Sequence, residues 1–417
     1  MAIFTRDYPI PVRTPLGAWL LGALLGSAFL LRAAYGLFLP NALLIPDAGS
    51  FNLIAWSVAT EGQYSIDGHP TAVRPPSYVL FLAAIYKVAG YHFRAARLAQ
   101  AVMGLGLVLL LMGIARELGW SPRTVWAVGW MAAFYPFFIY YDAQLIADAY
   151  LTFWHTAALF AAILWGRQLS SNPRAIGTGL AFAVLCLIKS IYVPLYALIL
   201  ALEAYKSISS KQEPFPWKAW LAAGVAFLIP LLLWAWRNER VLGQFLLDSH
   251  GGRTSVETIV LHDHVKDGSF PEFWKTSAIR QAVEALPEQQ QDAAYFRVTK
   301  NFIRENPGLY AKQSLVRLKD FWRFYPRQDI QFRESKSLIT WLSLLTEPVL
   351  ILLGFFALAL SWRQWRTLYP FYATILLTTA VYALTTGQMR YRLPLMPILI
   401  LFTAYGLFST QHPSPDH

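Results

Sequence analysis

Apolar runs alternate with short polar breaks along most of the chain. They lie near 16–39, 96–115, 124–141, 147–165, 175–188, 191–205, 217–236, 338–361, 367–385 and 393–410. A run of about 20 apolar residues crosses a bilayer core as a helix. The pattern therefore predicts an all-α polytopic membrane protein built on a bundle of about ten transmembrane helices. The fifth and sixth runs are parted only by Lys189-Ser190 and can also form one tilted helix, so the expected count is roughly nine to eleven. No internal repeat of fixed period is present.

The breaks between runs carry the topology. Segments 116–123 (Arg116, Arg123), 166–174 (Arg167, Arg174), 206–216 (Lys206, Lys211) and 362–366 (Arg363, Arg366) each hold two cations, the mark of cytoplasmic loops. Both termini are then expected in the cytoplasm. Arg94 and Arg97 fall outside and run against the rule. Arg6 and Arg13 precede the first run, which lacks a small-residue cleavage site and reads as an uncleaved anchor.

Two long segments face outward in this scheme. The first, 40–94, includes Ser77 to Gly90, an apolar stretch too short to span and suited to an interfacial or re-entrant helix. The second, 237–337, holds most of the charge and reads as a small helical segment, with helical apolar spacing over 292–324 around Glu305-Asn306-Pro307-Gly308. The expected organisation is a transmembrane core over 1–236 whose first external loop is 40–94, an external segment over 237–337, and carboxy-terminal transmembrane helices over 338–417.

Composition narrows the classes. Of 417 residues 56% are apolar and 14% charged, against roughly a quarter charged in a soluble domain, which excludes that class. The 16 Trp, 21 Tyr and 27 Phe exclude disorder, because such a chain buries ample apolar surface. The net charge of +11 follows from topology rather than from nucleic-acid binding, since many cations flank apolar runs. Cys186 is the single cysteine, so a disulfide framework and a multi-cysteine metal site are both excluded. Phosphate-cradling glycine loops and the serine nucleophile elbow are likewise missing from the sequence.

Ionisable residues at the outer ends of spans are the functional candidates. Asp47, in Ile-Pro-Asp-Ala-Gly-Ser-Phe, can deprotonate an acceptor hydroxyl or amine at the membrane surface; as a structural residue it would cap a helix. Asp142 and Asp148 bracket the next outer turn, and Asp148 opens the following span, where it too can be a cap. Arg74, Lys189, Arg237, Arg390 and Arg392 sit at outer ends against the positive-inside trend. A phosphate anchored there would account for them, because guanidinium forks match phosphate oxygens and lysine adds a point charge; snorkelling to headgroups is the plainer alternative. Tyr64, Tyr141, His250 and Tyr391 are candidates for a substrate cavity. His262 and His264 share a face for a metal only on extended backbone, and a solvated loop is the expectation there.

These residues resemble a known family. The outward acidic residue after the first span, followed by Arg74-Pro-Pro-Ser-Tyr-Val-Leu-Phe-Leu-Ala-Ala-Ile-Tyr-Lys-Val-Ala-Gly90, is similar to the first external loop of the C-type, polyprenyl-phosphate-dependent glycosyltransferases. The likeness is to the branch that holds protein O-mannosyltransferases and the lipid A aminoarabinose transferase. Trp234-Ala-Trp-Arg-Asn238, Gly251-Gly252, Phe302-Ile-Arg-Glu-Asn-Pro-Gly308 and Arg390-Tyr-Arg-Leu-Pro-Leu-Met-Pro397 follow in the expected order over nearly the whole chain.

The resemblance implies an enzyme of the cytoplasmic membrane that moves a sugar from an undecaprenyl-phosphate-like carrier to a lipid, polysaccharide or protein acceptor on the outer face. It implies Asp47 as the first-loop catalytic acid and Asp148 as the second-loop acidic position. Arg237, Arg390 and Arg392 match cations beside the carrier phosphate, with Arg74 and Lys189 joining them. The first loop departs from the family in carrying Asp47 alone where many relatives have an acidic pair, so a divalent cation has no paired motif to support it and no other cofactor is implied. Little sequence follows the last span, so acceptor recognition is expected from 40–94 and 237–337. A transporter or flippase of lipid-linked sugars, or a noncatalytic polysaccharide-assembly component, would share the cations and the membrane cavity; transporters commonly show repeat halves.

Overall fold

Proline and arginine together decide how the apolar runs become helices. The computed structural model describes residues 15–210, 215–267, 270–325 and 336–408; Arg6, Arg13 and Lys211 lie outside them. The amino-terminal half comprises α1 (Pro15–Phe38), α2 (Ala48–Glu61), α3 (Pro76–Ala89), α4 (Phe93–Glu117), α5 (Pro122–Phe134), α6 (Pro136–Asp142), α7 (Ala147–Gly166), α8 (Asn172–Cys186), α9 (Val193–Ser210) and α10 (Trp217–Leu242). Short helices follow: α11 (Gly251–Ser255), a π-helical turn Val256–Val260, α12 (His262–Asp267), α13 (Phe270–Thr276) and α14 (Ala278–Glu284). Then come α15 (Glu288–Glu305), α16 (Pro307–Phe321), α17 (Lys336–Leu360), α18 (Trp365–Leu384), a 3₁₀ turn Met389–Leu395 and α19 (Met396–Phe408).

Among the described residues, 7 helical stretches are long and apolar enough to cross a membrane, and one of them, Thr340–Leu384, takes in most of α17 and all of α18. The chain is a multi-pass membrane protein. Two of the ten apolar runs do not yield a full span. The run near 124–141 breaks between α5 and α6, because Pro136 has no N–H for the Ala132 carbonyl. The run near 175–188 yields the 15 residues of α8, about 22 Å of helix.

The break at Pro136 leaves carbonyls that lipid cannot satisfy. Arg32, inside α1, supplies the donors. Its Nη1 donates to Ala133 O at 2.6 Å, its Nη2 to Ala132 O at 3.2 Å and its Nε to the Asp142 carboxylate at 2.7 Å. Arg32 is 2% exposed. The pair lies flat against α4 only because residue 104 is glycine; a Cβ there would meet Asp142 Oδ2 and, at 2.6 Å, Arg32 Nε. Arg97 does similar work at the end of α1. It donates to Pro40 O at 2.9 Å, Ala42 O at 3.0 Å and Ala143 O at 3.1 Å, with longer bonds to Gly36 O and Leu39 O.

The 40–94 segment is a platform of two short helices, α2 and α3, docked on one end of the spans. Asn52 donates to Leu145 O at 3.3 Å and accepts from the Tyr86 hydroxyl; the Tyr78 hydroxyl donates to Gln100 at 2.6 Å, which in turn donates to Asp142 O and Gln144 O. Between the helices, Ser65–Ile66 pairs with His69–Pro70 around an Asp67-Gly68 turn. Both turn residues have positive φ, the geometry that suits a two-residue hairpin. The short helices between α10 and α16 pack around Val256, Leu261, Trp274, Val283 and Tyr295. They are clipped to the carboxy-terminal end of α18 by Arg317, which donates to Ala383 O at 3.0 Å and Thr258 O at 3.3 Å.

Removing one partner of a buried ion pair leaves an uncompensated charge. Arg32→Ala should lose about 3–5 kcal/mol of stability, read as a lower midpoint in thermal unfolding of the detergent-solubilised protein. Arg32→Lys should recover little of it, since an ammonium cannot reach the carboxylate and both carbonyls with a planar fork.

Candidate functional site

Four separate stretches of chain converge at one end of the spans. Ser77 N donates to Leu187 O at 3.1 Å, tying the start of α3 to the turn between α8 and α9. Ser190 Oγ donates to Asp248 Oδ2 at 2.7 Å, and Ser249 N donates to Ala72 O at 3.0 Å, which lays the start of the external segment over both. The 3₁₀ turn Met389–Leu395 packs on α7 and closes the ring. These ties bring Asp47, Arg74, Lys189, His250, Arg390 and Tyr391 to one place.

Asp47 begins α2 but does not cap it; its side chain makes no cap hydrogen bond. Oδ2 accepts from Arg390 Nη2 at 2.6 Å, and Oδ1 faces Arg74 Nη2 at 3.4 Å. Burial would raise this carboxyl, yet the Arg390 and Arg74 charges hold it well below the usual carboxylate range. Arg74 is itself fixed. Its Nε donates to Ser50 Oγ at 2.8 Å, its guanidinium lies 4.5 Å from the Phe51 ring centre, and its carbonyl accepts from the Tyr64 hydroxyl at 2.8 Å.

Arg390 is less committed. Nη2 also donates to the Tyr391 hydroxyl at 2.8 Å, but Nε and Nη1 are buried with no hydrogen-bond partner. Buried donors are rarely left so, and each costs roughly 1–3 kcal/mol unmet. Lys189 stands beside it. Its ammonium lies 4.1 Å from the Tyr391 ring centre and 5.8 Å from that of Tyr382, and it makes no hydrogen bond among the described residues. Those two rings stack at 4.9 Å, giving the cation a rigid face. Burial pulls Lys189 down to about 8, with Asp148 and Asp47 opposing and Arg390 and Arg74 adding.

Asp148 sits in the first turn of α7, 6% exposed, and its Oδ1 has no partner. His250 is drawn down to about 3 by burial, reinforced by Arg74 and Arg253, so its ring is neutral near pH 7.

Two of the outer arginines are engaged elsewhere. Arg237 donates to Thr71 O and Tyr64 O, each at 2.9 Å, and stacks by Tyr64 and Trp234, so it braces the first loop. Arg392 is 1% exposed; it pairs with Glu347 and donates to Phe321 O at 2.8 Å and Arg323 O at 2.9 Å. Neither has the free donors that Arg390 has. Tyr64, with its hydroxyl on the Arg74 carbonyl, is a strut of the loop. Tyr141 is 3% exposed on α6.

Glu347 was hidden from pattern reading by the apolar run around it, although an ionisable residue at membrane depth is itself a signal. His262 and His264 lie in α12, with His262 on Asp263 at 3.2 Å and His264 stacked on Phe273 at 3.9 Å. Among the described residues, no group of three or more His, Cys, Asp or Glu is placed to hold a metal ion.

No family model matches the chain, and no curated sequence matches it either. Solved structures do. The oligosaccharyltransferase of Archaeoglobus fulgidus tethered to an acceptor peptide is 13% identical over 93% of this chain and 49% of its own, with a TM-score of 0.56. The archaeal oligosaccharyltransferase AglB from Archaeoglobus fulgidus, in complex with an inhibitory peptide and a dolichol-phosphate, is 14% identical over 94% of this chain and 50% of its own, at 0.54. The chain has the C-type glycosyltransferase fold. It spans about half the length of those archaeal chains. ArnT from Cupriavidus metallidurans in the apo state aligns over 94% of this chain and 78% of its own, at 17% identity and a TM-score of 0.46.

An anion held by Lys189 in this fold should bind more weakly as pH rises through about 8, where the free ammonium gives up its proton. A phosphate monoester is already a dianion there, so the fall would report the lysine. Titration of the purified protein with undecaprenyl phosphate between pH 7 and 9.5 checks it, and Lys189→Arg should flatten the profile.

Proposed function

We propose that this protein is a membrane glycosyltransferase that takes a sugar from a polyprenyl-phosphate carrier and transfers it to an acceptor at the outer membrane surface. The observation that carries the reading is the pairing of unmet donors on Arg390 with the uncommitted ammonium of Lys189, beside the carboxylates of Asp47 and Asp148. A phosphate at the membrane surface is the ligand that such a fork and point charge fit. The dolichol-phosphate bound to the archaeal enzyme of the same fold supports a lipid-phosphate carrier here.

In this reading the phosphate contacts Arg390 and Lys189, with Arg74 at the rim, while Arg237 and Arg392 hold the scaffold. These cations meet the charge that develops on the departing phosphate, and so act on the transition state more than on bound donor. Asp47 accepts the acceptor's proton. Asp148, facing Lys189, orients that ammonium. The donor face is the outer one, with 40–94 and 237–337 forming the acceptor side. The sugar and the acceptor are the finer points that a substrate panel would define.

Asp47→Asn should fold normally and lower transfer about 100- to 10,000-fold. Arg390→Ala should weaken carrier binding about ten- to a hundredfold, the loss expected for hydrogen bonds to a charged group. Incubation of purified protein with radiolabelled polyprenyl-phosphate sugars and candidate acceptors is the direct test. Translocation without transfer would make the protein a flippase, and neither would make it a noncatalytic component.

A further inference from the structure

Asp47 is poorly prepared to act as a base in the state described. Both carboxylate oxygens face guanidinium groups, at 2.6 Å from Arg390 and 3.4 Å from Arg74. A carboxylate held this way is a weak proton acceptor, since general-base catalysis works best when the base titrates near the working pH. The same Arg390 carries the unmet donors Nε and Nη1. One cation thus serves an anion it already holds while presenting donors to another.

We propose that Arg390 is shared between Asp47 and the carrier phosphate, so that donor binding draws it away from Asp47 and frees that carboxylate to take the acceptor's proton. The inference rests on the carrier-phosphate reading of the site. The two arginines are held differently, and that asymmetry names the mobile one. Arg74 is fixed by Ser50, Phe51 and the Tyr64 hydroxyl on its own carbonyl. Arg390 is held through Nη2 alone, to Asp47 and to Tyr391. The charged and titratable groups facing Asp47 are Arg390, Arg74, Lys189, His250 and Glu257, and those facing Arg390 are Asp47, Asp148, Lys189 and Tyr391, with Tyr140, Tyr141 and Tyr382 around it.

The chemistry follows in order. With the donor seated and Arg390 on its phosphate, the acceptor oxygen bonds to the anomeric carbon and its proton passes to Asp47. The bond from that carbon to the phosphate oxygen breaks, and its electron pair stays on the carrier phosphate beside Arg390 and Lys189. Donor binding must precede deprotonation of the acceptor. Without the donor, Asp47 stays paired, which guards against idle proton transfer.

The exchange has a consequence opposite to that of an ordinary binding residue. If Asp47 competes with the phosphate for Arg390, its removal should tighten carrier binding while abolishing transfer. Undecaprenyl phosphate is titrated against the purified full-length protein, Asp47→Asn, Arg390→Gln and the double variant. Asp47→Asn should bind about five- to tenfold tighter than wild type, within the usual range of coupling between linked sites. In the Arg390→Gln background the same change should alter affinity by no more than about twofold.

Unchanged or weaker binding by Asp47→Asn overturns the exchange while leaving the carrier reading intact. Equal tightening in both backgrounds also overturns it, because that is bare charge repulsion. Wild-type protein that binds no undecaprenyl phosphate overturns both. Asp47→Ala, checked with the others by thermal unfolding, should tighten binding as Asp47→Asn does and serves if the asparagine variant fails to fold.

Discussion

Arginine donating to backbone carbonyls is the interaction on which the end of the bundle that carries the candidate site depends. A membrane helix that ends, breaks or gives way to a loop leaves carbonyls that lipid cannot satisfy. Guanidinium groups answer many of them near the site. Arg32 meets Ala132 and Ala133 beside Pro136, and Arg97 gathers the carbonyls after α1. Arg317 meets the end of α18, Arg392 the end of α16, and Arg237 the first loop. With five donors in a fixed plane, one arginine holds several carbonyls at once, which lysine cannot do. Loops that would otherwise wander at the membrane surface are thereby fixed to the bundle.

The membrane architecture was legible in the sequence because run length is a direct physical signal. The finer joints were not. The run near 124–141 is continuous in hydrophobicity, so only the missing N–H of Pro136 marks the break, and Arg32 lies inside an apolar stretch that conceals its partner in Asp142. The first-loop carboxylate was legible as a candidate but balanced against a helix cap. The geometry of α2 resolves that alternative, since the Asp47 side chain turns to two arginines instead of its own helix.

The outer cations were the hardest to sort, and the reason is geometric. Arg390 and Arg392 are two residues apart in one short motif and carry the same charge, so nothing in the pattern separates them. In a 3₁₀ turn each residue advances about 120°, which sends residues two apart to different sides. Arg390 therefore turns toward Asp47, and Arg392 toward Glu347 and the carbonyls of Phe321 and Arg323. Two arginines that read alike in the sequence thus differ in the fold: one keeps unmet donors, and the other bolts the turn in place. The bolt matters to its neighbour, since Arg392 fixes the turn from which Arg390 reaches.

The charges left in the site suit the reaction proposed for it. Arg74, Arg390 and Lys189 face Asp47 and Asp148, so the resting pocket carries one positive charge in excess. A sugar joined through a phosphodiester brings a single negative charge and neutralises it. After transfer the carrier phosphate holds one more negative charge, while Asp47 has gained a proton and lost its own. The pocket stays neutral through the step. In a partly buried site, where unpaired charge is costly, moving a proton onto Asp47 as the phosphate gains charge avoids any large change in net field. This is the value of the sharing proposed for Arg390: in that scheme the cation that leaves Asp47 goes to the group whose charge is about to grow.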